Sequence, residues 1–251
     1  MKSKAMQQYF IDQPLLPQQR LLLSEEIQHH LGTVLRVRNG ASFRLIDASG
    51  NAFLCTAELE KKRVFARVAE QLTERRETAL SVTLAMAPIR RERWEYALQK
   101  STELGVTNIV PVRTEHTVWR ERGDREHIRL RQERILREAA EQSERHTIPR
   151  LSSELPFDAL GQCRSVWNFI CYARSGQTTP SLLEACQEKR RNEGIPQSVT
   201  VLIGPEGGFT ENEVALAEKN GFCCVSLGPL ILRAETAAGF AVGLIHAALA
   251  E

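Results

Sequence analysis

The spacing of apolar residues divides the chain beyond residue 80 into short strands and longer helices. Runs of branched and apolar residues predict strands at 81–86, 109–112, 166–171, 199–203 and 225–227. Apolar residues at helical spacing predict helices at 94–104, from 128 to about 144, at 181–190, at 211–220, and from about 235 onward. Because strands and helices alternate, we predict a layered α/β domain with a mainly parallel sheet. The last helix is apolar on almost every side, which indicates burial against a core or a partner subunit.

The first 74 residues have a different pattern. Short alternating runs predict strands at 42–46, 52–55 and 64–68. The Asn39-Gly40 pair indicates a hairpin turn, because both residues tolerate a positive φ. Ser24 can cap a helix that has two acidic residues in its first turn and ends near residue 30. We therefore predict a small, barrel-like β domain at 1–74 and an α/β domain at 75–251.

Composition limits the classes of function without choosing one. Hydrophobic residues make up 42% of the 251 residues, and the net charge is +2, which permits an anionic partner without requiring one. No apolar run approaches the roughly 20 residues of a membrane-spanning helix, and the N-terminus does not resemble a signal peptide, so we expect a cytoplasmic protein. The six cysteines form no C-x-x-C pair, so we expect no metal site and no disulfide framework. Cys223 and Cys224 are interpreted as small core residues.

Two loops that contain glycine follow predicted strands. Gly-Pro-Glu-Gly-Gly at 204–208 comes directly after the strand at 199–203, and Gly228 begins a second loop that ends at Arg233. Parallel sheets bind ligands at the carboxyl ends of their strands, and glycine lets a ligand approach the main chain. A tight connection before a helix capped by Thr210 is the alternative for the first loop. Neither a G-x-x-x-x-G-K-[ST] nor a G-x-G-x-x-G motif is present, so the two common nucleotide-binding loops are excluded.

The segment LIGPEGGFTENEV, followed by VSLGPLILRAETAA, closely resembles the SPOUT superfamily and, within it, the ribosomal RNA small-subunit methyltransferase E family. The segments HHLGTVLRVRNG, KSTELGVTNIVPV and REAAEQSERHTIP resemble the same family. The resemblance implies transfer of a methyl group from S-adenosylmethionine to N3 of a uridine in the 16S ribosomal RNA of the 30S subunit. It also implies a PUA-like β-barrel that binds RNA, an α/β domain tied in a deep trefoil knot, and a homodimer.

The same resemblance implies roles for residues of both loops. The implied cofactor-binding residues are Leu202, Gly204, Glu206, Gly207, Leu227, Gly228, Ile231, Leu232 and Arg233. Arg233 is expected to stabilise negative charge on the target uridine, with a structural ion pair to Glu206 or Glu235 as the alternative. Uridine N3–H is a weak acid that has to lose its proton, and Glu206 and Glu235 are the candidate bases. The chain departs from the family pattern at Leu230, where arginine is usual, and at Ala234, where threonine or valine is commoner.

Arginines in three regions are candidates for contacts with RNA phosphates: Arg36, Arg38, Arg44, Arg90, Arg91 and Arg145. Interleaved positive charges on a small β domain can position RNA without reading its sequence. Most of the arginine-rich helix is expected to pair with acids of its own. Arg145 is the exception, because it belongs to a segment that matches the family.

Two other functions are compatible with the residues. A ribose 2′-O-methyltransferase of the same superfamily would share the knot, and a non-catalytic RNA-binding assembly factor would share the fold. Intact glycine loops argue against the assembly factor. Whether naked ribosomal RNA or the assembled subunit is the substrate stays open at this point.

Overall fold

The computed structural model describes residues 6–61, 63–74, 77–118, 123–172 and 179–249. The chain divides into two compact units. The first comprises the chain up to Glu77 together with Ala140–Thr147, and the second comprises Thr78–Ala139 and the chain from Ile148 onward. The boundary predicted between residues 74 and 75 adjoins Arg75 and Arg76, which lie outside the described residues.

The first unit is built on a five-stranded sheet within the described residues. Its elements are β1 (Gln8–Phe10), β2 (Arg20–Leu22), α1 (Glu25–His29), β3 (Ser42–Ile46), β4 (Ala52–Glu60) and β5 (Arg63–Leu72). The strand order is β1-β3-β4-β5-β2; β1 and β3 run parallel and the other pairs run antiparallel. The alternating apolar residues of these strands form one core with those of α1. The three strands predicted here are confirmed, because each lies within β3, β4 or β5.

Asp47 organises the hairpin between β3 and β4. Its Oδ1 accepts hydrogen bonds from two main-chain N–H groups of the loop that follows it, both at 2.9 Å. Gly50 in this loop has a φ of 76°, a value that glycine adopts without strain. Asn39 and Gly40 instead form a turn that leads into β3. The hairpin predicted at Asn39-Gly40 was therefore wrong, since the segment before this turn contains the π-helical turn His30–Val34 in place of a strand that could pair with β3.

Ser24 caps α1 as predicted, since its Oγ accepts the N–H of Ile27 at 3.4 Å. The α-helix ends at His29, close to the predicted residue 30, and the chain continues as a π-helical turn over His30–Val34. Such turns are rare and occur frequently at functional sites. Arg36 follows with a φ of 50°, an uncommon value for a residue other than glycine. The segment that carries Arg36 and Arg38 is thus irregular and exposed.

The second unit alternates strands and helices. Its elements are β6 (Ser81–Met86), α2 (Arg91–Glu103), β7 (Asn108–Arg113), α3 (Arg125–Gln142), β8 (Arg150–Leu151), β9 (Leu155–Pro156), a 3-10 helix (Phe157–Cys163), β10 (Trp167–Cys171), α4 (Leu182–Glu193), β11 (Ser198–Ile203), α5 (Glu211–Lys219), β12 (Cys223–Val225) and α6 (Ala234–Leu249). The main strand order is β12-β10-β11-β6-β7-β8, and β9 also pairs with β7. Every pairing of described strands in this unit is parallel. The predicted parallel α/β architecture is confirmed.

The last strand, β12, lies two residues before its predicted position at 225–227. It is the edge strand of the sheet and pairs with β10. Cys223, at its start, is exposed, and Cys224 is only partly buried. The interpretation of this pair as core residues was wrong, because an edge strand has fewer neighbours to cover its side chains.

The last helix, α6, is largely buried in the core of the second unit, where it packs against α2 and α4. Its small alanine and glycine residues let neighbouring helices approach closely; a Cβ atom added to Gly239 would lie 3.4 Å from Leu104. Phe240 remains 45% exposed. Across the part of the chain that the structure describes, no helix is long and apolar enough to cross a membrane.

Candidate functional site

The two loops that contain glycine lie at one edge of the parallel sheet. The first follows β11 and the second follows β12, and β10 lies between these two strands. Because all three strands run parallel, both loops emerge at the carboxyl edge of the sheet, where open α/β sheets bind ligands. The topology therefore brings together the segments that the sequence singled out separately.

Packing within the protein determines the conformation of part of the first loop. A Cβ atom added to Gly204 would lie 3.0 Å from the ring of Phe209, which is buried. Gly208, with a φ of 69°, donates its N–H to the carbonyl of Pro205 at 2.9 Å and closes a turn. Leu202 has a fully buried side chain. Gly204 is therefore required by the packing of Phe209, a reason that the sequence did not reveal, and Leu202 can offer a ligand only its main chain.

His116 holds the first loop from the neighbouring segment after β7. Its Nδ1 lies 3.0 Å from the carbonyl oxygen of Gly207 and 3.2 Å from that of Gly208. Both partners are acceptors, so Nδ1 carries the proton and Nε2 is left as an acceptor in the neutral ring. A Cβ atom on Gly207 would lie 3.0 Å from the Cβ of His116, so this glycine is needed for the close approach.

Glu213 also connects the segment after β7 with the loop after β11. Its Oε2 accepts the N–H of Thr210 at 2.9 Å, and the Thr210 hydroxyl accepts the N–H of Glu213, which together form a capping box at the start of α5. The other carboxylate oxygen accepts the N–H of Glu115 at 2.8 Å. The cap predicted at Thr210 is confirmed. The loop between β11 and α5 is thus held at Gly207, Gly208 and Thr210.

The second loop is open to solvent at its tip. Leu230 is 77% exposed and Ile231 is fully exposed, while Leu227 and Leu232 pack against the core of the unit. Gly228 has a φ of 114°, and a Cβ atom added there would meet no atom within 4 Å. The main chain at this glycine therefore borders open space. A ligand that lies there could contact main-chain groups directly.

Arg233 does not form the ion pair that was considered as its structural alternative. Its guanidinium is exposed and makes no hydrogen bond or ion pair within the described ranges. Arg93 takes that place: its Nη1 lies 3.0 Å from Glu206 Oε1, and its Nε lies 3.7 Å from Glu235 Oε1. Arg93 belongs to the first turn of α2. It thus joins three segments of the site, whereas Arg233 keeps its charge available for a ligand.

The predicted RNA contacts fall into two groups. Arg36, Arg38 and Arg90 are exposed, and their side chains make no hydrogen bond or ion pair among the described residues, whereas Arg91 pairs with Glu95 at 3.0 Å. The Arg44 side chain is only 16% exposed and donates to Glu144 at 2.8 Å. For Arg44 a direct phosphate contact is disfavoured, because its charge is already neutralised and largely covered.

Arg145 is the clearest correction among these arginines. Its side chain is only 7% exposed and pairs with Glu77 at 3.2 Å. Glu77 also accepts the N–H groups of His146 and Thr147 and the hydroxyl of Thr147. Burial raises the pKa of Glu77, but hydrogen bonds from Arg145 and Thr147 outweigh it and hold that pKa below its usual range. Arg145 therefore anchors its own segment and is not available to phosphates.

Sequence reasoning missed two residues of this site, Arg93 and His116. Their positions after β6 and β7 were the available signal, because the carboxyl ends of neighbouring parallel strands share one edge. Among the described residues, no group of three or more histidine, cysteine, aspartate or glutamate side chains could hold a metal ion.

Two family models match this chain. One, described as an RNA methyltransferase domain, matches residues 76–246. The other, described as an RNA methyltransferase PUA domain, matches residues 23–69. Together they cover most of both units.

The chain is similar to curated proteins named ribosomal RNA small subunit methyltransferase E. The protein from Synechocystis is 34% identical over 224 residues, which cover 88% of this chain and 71% of the relative. The Bacillus subtilis protein is 31% identical over 250 residues and covers 96% of each chain. Both matches extend across the two units.

Two solved structures have the same fold. A protein of Legionella pneumophila, solved with bound S-adenosylmethionine, has a TM-score of 0.83 at 33% identity, covering 98% of each chain. The ribosomal RNA small subunit methyltransferase E of Neisseria gonorrhoeae, also bound to S-adenosylmethionine, has a TM-score of 0.80 at 30% identity, covering 96% of this chain and 97% of that one.

Proposed function

Because this chain belongs to the ribosomal RNA small subunit methyltransferase E family, we propose that it methylates N3 of a uridine in 16S ribosomal RNA. It is an α/β protein with an N-terminal PUA-like domain and an S-adenosylmethionine-dependent methyltransferase domain. The observation that carries the proposal is the meeting of the two loops at the carboxyl edge of the sheet. Their open main chain suits a flat nucleoside that is read by hydrogen bonds.

We assign cofactor binding to both loops. Main-chain groups of Leu202, Gly207, Leu227, Gly228, Ile231 and Leu232 would hold the adenosine, while Gly204 shapes the first loop through Phe209. S-Adenosylmethionine supplies a methyl group on a positively charged sulfur. The side chains of Glu206 and Glu235 provide negative charge at the same edge, which fits a cationic ligand. We also propose that the methyltransferase domain contains the trefoil knot and that the N-terminal sheet closes into a barrel.

We assign charge stabilisation to Arg233. A uracil ring that loses its N3 proton carries negative charge on its carbonyl oxygens, and a guanidinium can donate to them. The exposed guanidinium without an ion pair supports this role. Replacing Arg233 with alanine should lower the single-turnover rate by about a hundredfold or more, and lysine should recover part of it. A change in cofactor affinity of the same size would indicate a binding role instead.

RNA binding is assigned to the exposed arginines that make no ion pair, Arg36, Arg38 and Arg90. Such charges release counterions when they meet phosphates, which favours a polyanionic partner. The partner is 16S ribosomal RNA, within the 30S subunit or before its assembly is complete. A protein that acts on this substrate works in the cytoplasm.

We also infer a homodimer formed through α2 and α6. Tyr96 of α2, Leu104 directly after α2, and Phe240 of α6 expose apolar surface, and the two helices pack against each other. A second copy of the chain would bury this surface. Sedimentation velocity of the wild type should give a dimer, and Phe240→Asp should give a folded monomer. A monomeric wild type would contradict the inference.

Nucleoside mass spectrometry tests the reaction itself. 30S subunits from a strain that lacks the endogenous methylation should gain one methyl group on a uridine base after incubation with the enzyme and S-adenosylmethionine. Fragmentation that places the methyl group on the ribose would support the 2′-O-methyltransferase. No methylation, with RNA binding retained, would support the assembly factor. Naked 16S ribosomal RNA, tested beside the subunit, identifies the preferred substrate.

A further inference from the structure

One carboxylate oxygen of the site lacks a hydrogen bond. Glu235 lies in the first turn of α6 and is 8% exposed. Its Oε2 is buried and has no hydrogen-bond donor among the described residues. Leaving a charged acceptor unsatisfied in the interior costs free energy, so such an atom requires an explanation. A ligand that brings an N–H donor would supply one.

Two charged groups surround this carboxylate. The Nε of Arg93, from α2, lies 3.7 Å from the other oxygen, Oε1. Glu206, from the loop after β11, binds the same guanidinium at 3.0 Å. Arg233 precedes Glu235 by two residues but is exposed and does not contact it. Arg93 therefore orients Glu235 through Oε1 and leaves Oε2 without a donor among the described residues.

The sequence left Glu206 and Glu235 as equal candidates for the catalytic base. In the structure they differ in exposure and in hydrogen bonding. The Glu206 side chain is 46% exposed and already accepts a direct hydrogen bond from Arg93. The Glu235 side chain is only 10% exposed, and its contact with Arg93 is longer. A buried carboxylate oxygen without a donor gains more from an N–H of the ligand than a carboxylate that water already solvates. The geometry therefore favours Glu235.

We propose that Oε2 of Glu235 accepts the N3 proton of the target uridine. The inference rests on the proposed function and names the catalytic base of that reaction. The N3–H bond breaks and its proton passes to the carboxylate. N3 then forms a bond to the methyl carbon, and the methyl–sulfur bond breaks with its electron pair remaining on sulfur. The Glu235 carboxyl group afterwards releases the proton to water. Arg93 is a positioning residue, because it acts through Glu235.

Replacement of Glu235 by glutamine tests proton removal, since the amide keeps the size and the acceptor oxygen but cannot take a proton. Single-turnover methylation of unmethylated 30S subunits should slow by roughly 10²- to 10⁴-fold, the usual contribution of a general base. Raising the pH should recover the Glu235→Gln rate more than it raises the wild-type rate, because ionised uridine needs no base. A wild-type rate in Glu235→Gln would overturn the proposal.

A binding measurement tests the hydrogen bond between N3–H and Glu235 without depending on methyl transfer. With S-adenosylhomocysteine bound, the affinities for unmethylated and methylated 30S subunits give a discrimination ratio, since the N3-methylated base has no N–H to donate. Glu235→Ala should reduce this ratio by roughly tenfold to a hundredfold, the range expected for removal of a hydrogen bond to a charged group. Glu235→Gln should reduce it too, because Arg93 holds the amide oxygen and the NH2 group then faces the N3–H donor. The exposed Glu188→Gln on α4 is the control and should keep the ratio.

Three further results would decide against the proposal or against the proposed function on which it rests. An unchanged ratio in Glu235→Ala overturns the assignment. A loss of S-adenosylmethionine affinity with that ratio unchanged would show that Oε2 accepts from the cofactor's ammonium group, which also overturns it. A wild-type enzyme that methylates no uridine base overturns the proposed function itself. If Glu235→Ala does not fold, the rate and ratio of the isosteric Glu235→Gln remain decisive.

Discussion

The Nδ1 atom of His116 lies 3.0 Å from the carbonyl oxygen of Gly207. This contact joins the segment after β7 to the loop after β11, although the two residues are 91 positions apart in the chain. The same nitrogen reaches the carbonyl of Gly208 at 3.2 Å. His116 thereby stabilises the conformation of a loop that we assign to the cofactor.

His116→Ala should weaken S-adenosylmethionine binding by about threefold to tenfold, because each hydrogen bond contributes roughly 0.5–1.5 kcal/mol. His116→Asn should restore much of the affinity, since its amide N–H can donate to the same carbonyls. Isothermal titration calorimetry measures both. His127→Ala, an exposed histidine of α3, is the matched control and should leave the affinity unchanged. Equal affinities for wild type and His116→Ala would contradict the role of His116.

Gly228→Ala should reduce cofactor affinity. Its φ of 114° strains any other residue, and its Cβ would enter the open space that we assign to the ligand. Gly194→Ala is the control, since Gly194 has a φ of 82° and equally open surroundings but ends α4. Both variants should melt at lower temperature than the wild type, and only Gly228→Ala should lose affinity. Similar affinities for the two variants would place the ligand elsewhere.

Replacing Arg36 and Arg38 with alanine should weaken RNA binding and flatten its dependence on salt. The slope of log affinity against log salt should change by about 0.7–0.9 for each phosphate that the protein no longer neutralises. Arg44→Ala should mainly lower the melting temperature, because Arg44 is committed to Glu144. Titrations over a series of salt concentrations measure the slope. A slope that stays at the wild-type value in the double variant would move the RNA surface away from this segment.

Acid should destabilise the first unit through Glu77. Its pKa in the folded chain lies below its ordinary value, so folding favours the carboxylate. This stability is therefore present above the pKa of the unfolded chain and is lost as the pH falls through the lower folded value. Glu77→Gln should lower the melting temperature at neutral pH and should reduce the loss of stability below about pH 4. Thermal melts between pH 3 and pH 7 test this, and parallel curves for both proteins would argue against it.

Most of the secondary structure could be predicted from local patterns. Ser24 and Thr210 cap their helices where the sequence indicated, because a cap depends on a side chain and main-chain groups three residues away. The strand–helix alternation likewise indicated a parallel sheet. The hairpin at Asn39-Gly40 was an exception, since the segment before that turn contains the π-helical turn His30–Val34 in place of a strand.

By itself, the sequence determined the fold class, the two loops and the family, because these depend on short segments whose residue types limit the main chain directly. Only the tertiary structure decided which charged side chains form ion pairs. Arg93 and Glu206 are 113 positions apart and lie 3.0 Å from each other, and Arg145, a candidate RNA contact in the sequence, is buried against Glu77. Such pairs form only after the sheet order places distant segments side by side, and no local pattern of residues records that distance.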